Sequence, residues 1–541
     1  MKKPIPILSN AVLVFFSVLL FCLAHPNFIF KDGIPFLAWF MYLPAMVVIR
    51  RVSLSQAPLW GALYGFVSMS VFASWISTYN LVAGVFVSLV YLFYFEILFF
   101  ALKIAVLIFP KRGFLVQLLL FIAFEYLRTK GFLGFGYGIS GYTQWQIIPL
   151  LQIANLTGVW GVSLLVIFPS LFFARIIDPN SLKIGKNPME FDRNLTRIDF
   201  LPAAIWVLFI ILVFIYGFSS KNDYSAQPDA RIALIQNNAD PWKDKKSDYQ
   251  NNLTLLKRLS SEALAQNPKP DLVVWSETAF VPMIYWHIHY RTDVEYYSQV
   301  KELLEFFAAS DVPFLIGNDD GRLVDIGGYK QRVDYNAAIL FEKNEIIDVY
   351  RKMHLVPFTE HFPYEKQFPF IASLLRKLDT HVWEKGAKPV VFKTGKLKFS
   401  TPICFEDTFG YLTRTFVQNG AELIVNISND SWSHSLTGQM QHLSMAVFRS
   451  VENNRSMVRS TASGQTCGIL PNGKIIAMSE PFTATHLTVN VPLMDGETFY
   501  TKHGDYFPIL CMMLAAFILL CGTIKHIIAK YAKLKKNTDS R

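Results

Sequence analysis

Three segments each deliver one reactive side chain at the end of an apolar strand: Glu277 after Asp271-Leu-Val-Val-Trp-Ser, Lys352 after Tyr350-Arg, and Cys404 after Thr401-Pro-Ile. A carboxylate, an ammonium group and a thiol gathered in one site are the parts of acyl transfer. The carboxylate takes the thiol's proton, the sulfur attacks a carbonyl and holds the acyl group as a thioester, and the cation stabilises the oxyanion. Further acids stand beside them, Glu360 downstream of the lysine and Glu406 and Asp407 just after the thiol. The competing reading of Cys404 is a disulfide with Cys467, because Cys22, Cys511 and Cys521 all lie in apolar runs. Two cysteines do not make a disulfide framework, and a strand-end thiol beside acids is an odd staple, so a reactive Cys404 is the stronger expectation.

The elements that must position these groups lie in one block, residues 219–505, where short strands alternate with amphipathic helices in an α/β pattern. Strands are expected at 231–237, 271–276, 312–317, 336–341, 346–351, 398–403, 423–427, 457–460, 468–470 and 487–491. Helices are expected at 247–266, 294–310, 411–419 and 438–453, and Asn472-Gly473 is a hairpin signal.

The rest of the chain belongs in lipid. Its 541 residues are 52% hydrophobic with a mean hydropathy of +0.31, too apolar for a wholly soluble protein. Seven apolar runs precede residue 220, at 8–24, 36–49, 58–76, 81–109, 114–127, 151–173 and 200–218, and an eighth covers 506–528. Each comes near the ~20 residues that cross a bilayer, although the second and fifth are short. The expected organisation is a membrane domain over 1–218 with about seven spans, an external block over 219–505, and a last span with a basic tail over 506–541. No small-residue cleavage site follows the first run, so it reads as a retained span.

Basic residues fix the orientation, because they collect on the cytoplasmic side. Lys2 and Lys3, Arg50 and Arg51, Lys111 and Arg112, the Lys183 to Arg197 group and the tail from Lys525 to Lys536 all fall on one face of an eight-span arrangement. The opposite loops carry little beyond Lys31, Arg128 and Lys130. Both termini are then inside and the strand-rich block outside. The net charge of +10 follows from this bias and is no nucleic-acid footprint.

Other features have plainer readings. The aromatic segments 280–290, with Trp286, and 358–371, with Phe368, are either local core or loops that dip into the lipid surface; beside a membrane the second reading is the sharper one. His287 and His289 lack the further ligands a zinc site wants. Gly136-Tyr-Gly138-Ile-Ser-Gly141 fits a dinucleotide-loop spacing but follows a membrane span instead of a strand. Glu96 and Lys103 share one face of the fourth span, where an ionisable residue is a functional hypothesis unless it snorkels out.

The motifs VVWSET (273–278), YRKMHLVPFTEHFP (350–363), ICFED (403–407), NISNDSW (426–432) and RSTASG (459–464), with FEYLR (124–128), resemble the nitrilase, or carbon-nitrogen hydrolase, superfamily and within it the apolipoprotein N-acyltransferase family. The resemblance spans essentially the whole chain, and the LVPF-x-E-x-FP phrase is particular to that branch. It implies an αββα sandwich beside a multi-span helical membrane domain. Glu277 is then the general base and acid, Lys352 the oxyanion cation and Cys404 the nucleophile, with Glu360 and Glu406 as supporting carboxylates. Trp242 and Trp432 would line the acyl pocket or its mouth. The implied reaction moves an acyl chain from a phospholipid to the α-amine of a diacylglyceryl-cysteine apolipoprotein by a ping-pong route. No metal or cofactor is needed, and the site would be the periplasmic face of a bacterial inner membrane. Three positions depart from the pattern: Ser276 stands for proline, Asn237 for glycine, and Phe405 for a tyrosine, so a role resting on that hydroxyl is absent. Two other functions fit less well, a membrane-tethered carbon-nitrogen hydrolase passing the acyl group to water and a transporter with an external binding module.

Overall fold

A computed structural model of the chain describes residues 7–179, 190–192, 195–220, 223–240, 243, 245–362, 364–365, 367–370, 373 and 383–539. The chain divides into two compact units, Met1–Ser220 with Asp505–Arg541, and Lys221–Gly504.

The first unit is helical. Among the described residues, five helices are long and apolar enough to cross a membrane: Ile7–Ala24, Leu81–Ile108, Val159–Ile176, Arg197–Ser219 and Tyr506–Ala532. Ala57–Phe72 and Gly113–Leu127 are shorter apolar helices. The run expected at 36–49 is not one helix. It forms a 3-10 turn over Pro35–Phe40 and a nine-residue α-helix over Leu43–Arg51, which opens with Pro44 in its first turn. At about 2 Å per 3-10 residue and 1.5 Å per α residue, the two pieces together reach roughly 26 Å, still close to a bilayer core.

Small residues let these helices touch. A Cβ on Gly61 would lie 2.3 Å from Phe95 O, and one on Gly65 would lie 2.3 Å from Tyr91 O, so Ala57–Phe72 meets Leu81–Ile108 backbone to backbone. Gly61→Leu is therefore expected to destabilise this unit by about 2 kcal/mol or more through overpacking. Thermal unfolding in detergent checks it, with Leu59→Ala, at an exposed position, as the silent control.

Lys103 does not snorkel. It is buried, and its Nζ donates to Ile49 O at 2.9 Å, capping the C-terminus of Leu43–Arg51. Glu96, two turns away on the same helical face, is half-buried. The Gly138 and Gly141 loop is likewise structural: a Cβ on Gly141 would meet Val159 O at 2.7 Å, and Ser140 N donates to the buried Glu125.

Among the described residues, the second unit holds two six-stranded sheets. One has the order β12-β1-β2-β3-β4-β5, with β1 Asp229–Gln236, β2 Leu272–Trp275, β3 Phe314–Ile326, β4 Tyr329–Glu342, β5 Glu345–Arg351 and β12 Thr485–Pro492. The other has the order β11-β10-β9-β8-β7-β6, with β6 Val391–Thr394, β7 Leu397–Ser400, β8 Leu423–Ser428, β9 Ser456–Thr461, β10 Cys467–Ile469 and β11 Ile475–Met478. The sheets pack face to face, and Ser460 Oγ on β9 reaches both Ile235 O and Val274 O on the first sheet at 3.1 Å.

Helices cover the outer faces, giving αββα. Lys246–Leu264 presents Leu253, Leu256, Leu259 and Ala263 at helical spacing, and Val294–Ala308 adds Val300, Leu303 and Phe307. All are buried against Ile235, Trp275, Phe314 and Ile339. Asp293 caps the second of these helices by accepting from Glu295 N and Tyr296 N at 3.0 Å, worth ~1 kcal/mol. Gly410–Gln418 and Leu436–Asn453 serve the other sheet.

Strand positions agree with expectation except in three places, with β11 supplied by the expected Asn472-Gly473 hairpin. β3 and β4 run far beyond 312–317 and 336–341, as a hairpin paired from Phe314↔Phe341 out to Ile326↔Tyr329. β6 was not expected. The expected strand at 398–403 stops at Ser400 and resumes as a single bridge between Ile403 and Ile427.

Candidate active site

Cys404 follows that bridge and opens a 3-10 turn, Cys404–Thr408. Its φ is +50°, a left-handed conformation that a side chain with a Cβ rarely takes, at a cost on the order of 1 kcal/mol or more. Thr278, just after Glu277, has φ +47°. Both loops leave their strands sharply and turn their side chains into one place.

There Lys352 is fully buried and its Nζ donates to Glu277 Oε1 at 3.1 Å and Glu360 Oε1 at 2.8 Å. Other donors also hold both carboxylates in place. Asn336 Nδ2 donates to Glu277 Oε1 and Asn429 N to Glu277 Oε2, each at 2.8 Å, and Val356 N donates to Glu360 Oε2 at 2.9 Å. Burial alone would lower the ammonium's pKa, but the charges of Glu277 and Glu360 outweigh it and hold it well above the ordinary lysine value. Lys352 is thus a fixed cation.

The Cys404 thiol is pushed the other way. Burial raises its pKa, the Glu277 charge adds to this, and Lys352 offsets only part, so the resting sulfur is protonated. It can attack only as a base removes that proton, and Glu277 is the carboxylate whose charge it feels most. The Phe405 ring, nearly buried, packs edge-on to Phe409 at 4.9 Å.

Glu406 is a knot between two loops. Its Oε1 accepts from Met353 N at 2.7 Å, His354 N at 2.9 Å and Tyr350 OH at 2.8 Å, while Oε2 accepts from Ile403 N at 2.8 Å. Lys352 is thereby tied to the nucleophile's turn. Burial raises the Glu406 carboxyl to about 7 even against these donors.

A second network behind the thiol was not read from the sequence. His442 Nε2 meets Asp407 Oδ1 at 2.6 Å and its Nδ1 meets Asp430 Oδ1 at 3.1 Å. Arg459 on β9 pairs with Asp407, and the Ser428 hydroxyl, beside the thiol, donates to Asp430 Oδ1 at 2.9 Å. An arginine inside the apolar strand Met457-Val-Arg459 was the available signal, since buried arginines are paired. Burial would lower the His442 pKa, but the two aspartates raise it to about 9 from 6.5. A raised folded-state value contributes stability that is complete below about 6.5 and lost as pH climbs to about 9, on the order of 3 kcal/mol. Thermal unfolding of the wild type should fall across that window, and His442→Gln should start lower and fall less.

The remaining expected site residues scatter. Trp242 lies outside the described residues. Trp432 belongs to a 3-10 turn, Asp430–Ser433, next to Asn429. Trp286 is held by its own neighbours, with the Arg332 guanidinium 4.6 Å above its ring and its Nε1 donating to Thr292 Oγ1 at 3.0 Å. Its segment contains a helix, Ile284–Tyr290, rooted by the fully buried Phe280 and Ile284. His287 is buried within it, beside Tyr296. Phe368 and Phe370 are exposed, at 53% and 80%. All five cysteines are free, Cys404 and Cys467 included.

Residues 231–499 match the carbon-nitrogen hydrolase family and residues 17–172 match the apolipoprotein N-acyltransferase N-terminal domain. The chain is 41% identical to apolipoprotein N-acyltransferase 1 of Treponema denticola, over 97% of this chain and 98% of that protein. It is 40% identical to apolipoprotein N-acyltransferase 1 of Treponema pallidum, over 96% and 97%. An amidase of the nitrilase superfamily from Nesterenkonia AN1 aligns in structure at 18% identity with a TM-score of 0.36, covering 54% of this chain and 97% of the amidase.

Proposed function

This chain belongs to the apolipoprotein N-acyltransferase family, a branch of the carbon-nitrogen hydrolases, and on that premise we propose that Glu277, Lys352 and Cys404 carry its reaction. It is a multi-pass membrane acyltransferase that acylates lipoproteins, which takes the place of the hydrolase and transporter readings. The observation that supports the assignment is the buried ammonium of Lys352, bonded at once to Glu277 and Glu360 beside a protonated thiol.

In the first half-reaction Glu277 takes the thiol proton as sulfur attacks a phospholipid acyl ester. Negative charge grows on the carbonyl oxygen, and Lys352 with the Phe405 N–H stabilises it. Glu277 then gives the proton to the departing lysophospholipid, leaving a thioester on Cys404. In the second, the α-amine of a diacylglyceryl-cysteine lipoprotein attacks the thioester, and the thiol is regenerated. Glu360 holds Lys352 in place, and Glu406 holds the two loops in register. Phe405 offers a ring and no hydroxyl, so its part is its backbone and its packing. We place the enzyme in the bacterial inner membrane with both termini inside and residues 219–505 on the periplasmic side, following the distribution of basic residues. The segments 1–218 and 506–541 cross eight times in this reading, with 35–51 as the broken second span. Exposed Phe368 and Phe370, and Trp286, are the aromatic residues we assign to lipid entry, with Trp242 and Trp432 at the acyl pocket.

Digesting the protein after incubation with phospholipid and weighing the Cys404 peptide tests the central step. The expected result is a mass gain of one acyl chain that disappears on adding an amine. An acyl group elsewhere, or none, overturns the assignment.

A further inference from the structure

Proton bookkeeping leaves the second half-reaction one base short. At neutral pH an α-amine, with a pKa of about 8, is mostly an ammonium group. It must lose one proton to gain the lone pair that attacks, and a second after the C–N bond has formed. Glu277, back in its carboxylate form, can carry the second proton to the sulfur as the C–S bond breaks. The first proton needs another acceptor.

One acidic side chain on the face that carries Glu277 has no role so far. Asp319 lies on β3 two residues after Gly317, and residues two apart in a strand share a face. That face is the one Glu277 crosses, since a Cβ on Gly317 would lie 2.6 Å from Glu277 Cα. Across the ladder Asp319 is paired with Asn336, the residue whose Nδ2 holds Glu277. Cross-strand partners also share a face, so Asp319, Asn336 and Glu277 converge. Asp319 Oδ1 is shut away from solvent without a well-formed hydrogen bond among the described residues, and the Trp383 indole is the donor beside the carboxyl. Its neighbours in sequence are committed: Asn318 holds Phe280 O and Pro282 O, and Asp320 is paired with Arg322 and Arg351.

We propose that Asp319 is the second base, the carboxylate that receives the acceptor's ammonium group and takes its first proton. The inference rests on the acyl-transfer reading of the site. The first proton moves from the ammonium to Asp319, the nitrogen lone pair forms the C–N bond, and the C–S electron pair returns to Cys404. Glu277 relays the second proton to that sulfur, and Asp319 releases its own to water once the product leaves.

The electrostatic setting suits the task. Burial raises the Asp319 carboxyl to about 7, the Trp383 indole beside it works against this, and the charges of Asp334, Glu277 and Glu360 add to it. Lys352 is already bonded to Glu277 and Glu360, and Arg332 to Asp334, so these cations are engaged elsewhere. A carboxylate of this basicity both attracts an ammonium group and can deprotonate it near neutral pH.

The two half-reactions separate the outcomes. Full-length protein in phospholipid vesicles is allowed to form the thioester, then chased with a synthetic diacylglyceryl-cysteine peptide across a range of pH. Asp319→Asn should form thioester within about threefold of the wild-type rate and lose roughly 100-fold in aminolysis at pH 7. The deficit should close as pH rises past about 8, where the amine arrives already deprotonated, and Asp319→Glu should recover part of the loss. A deficit equal at every pH, an equal slowing of both steps, or unchanged aminolysis overturns the role of Asp319. Absence of any thioester in the wild type would instead overturn the acyl-enzyme reading beneath it.

Discussion

Cys404→Ala abolishes acyl transfer while the protein still folds and inserts, and cells relying on it accumulate diacylated lipoprotein. The thiol is the atom that holds the acyl group, so no neighbouring side chain substitutes for it. Folding should survive because the change deletes one sulfur from a half-buried residue, and because that sulfur bonds to no other cysteine. Relief of the left-handed backbone is not expected, since alanine also carries a Cβ. The informative control is Cys467→Ala. Cys467 is fully buried on β10, opposite Arg459, with its thiol pushed up to about 12 by burial. It is a core residue, and its truncation should cost stability of about 1 kcal/mol and leave turnover per folded molecule intact. Assay of lipoprotein N-acylation beside protease resistance separates the two. Equal inactivity of both variants with equal loss of protease resistance would restore the disulfide reading.

The reactive residues were legible because each stands at a point where an apolar run stops and a charge begins. Glu277, Lys352 and Cys404 needed only that local signal. Their partners did not share it. Asn336, which orients Glu277 across 59 residues of sequence, is one polar residue in a strand, and nothing local says that β4 lies beside β2's loop through β3. His442 and Asp430 came together through the packing of a helix on a sheet, which periodicity predicts only as a buried face. The extension of β3 and β4 was hidden by its charges. Asp319, Asp320 and Arg322 on one strand and Arg332 and Asp334 on the other interrupt the apolar alternation. They stay in the ladder because they pair locally, Arg322 with Asp320 at 2.8 Å and Arg332 with Asp334 at 2.7 Å. In the membrane unit, hydropathy found the helices, but it could not see that the run at 36–49 breaks at Met41 and Tyr42, because lipid-compatible composition is blind to backbone geometry.

Lys352→Met and Glu277→Gln should each block thioester formation, with losses on the order of 3 kcal/mol or more in the acylation barrier. The first removes the cation facing the oxyanion, the second the base that frees the thiol. Their combination should lose little more than the worse single variant. Without the ammonium group, Glu277 and Glu360 are two carboxylates left in a buried space, and both cannot remain ionised. One takes a proton, and Glu277 loses the cation that anchors its Oε1, so Lys352→Met disturbs the base as well as removing the cation. Stability should couple in the same direction, with the double variant losing less than the sum of the singles. Lys352→Met strands two buried carboxylates, a change worth ~3–5 kcal/mol when one partner of a buried pair is removed. Glu277→Gln relieves part of that, so the double variant should be more stable than the sum of the singles predicts. Single-turnover acylation of Cys404, read with thermal unfolding of all four proteins, measures both couplings at once. Additive losses in the acylation barrier would mean that the two side chains act independently, and the shared site built on their 3.1 Å contact would be wrong.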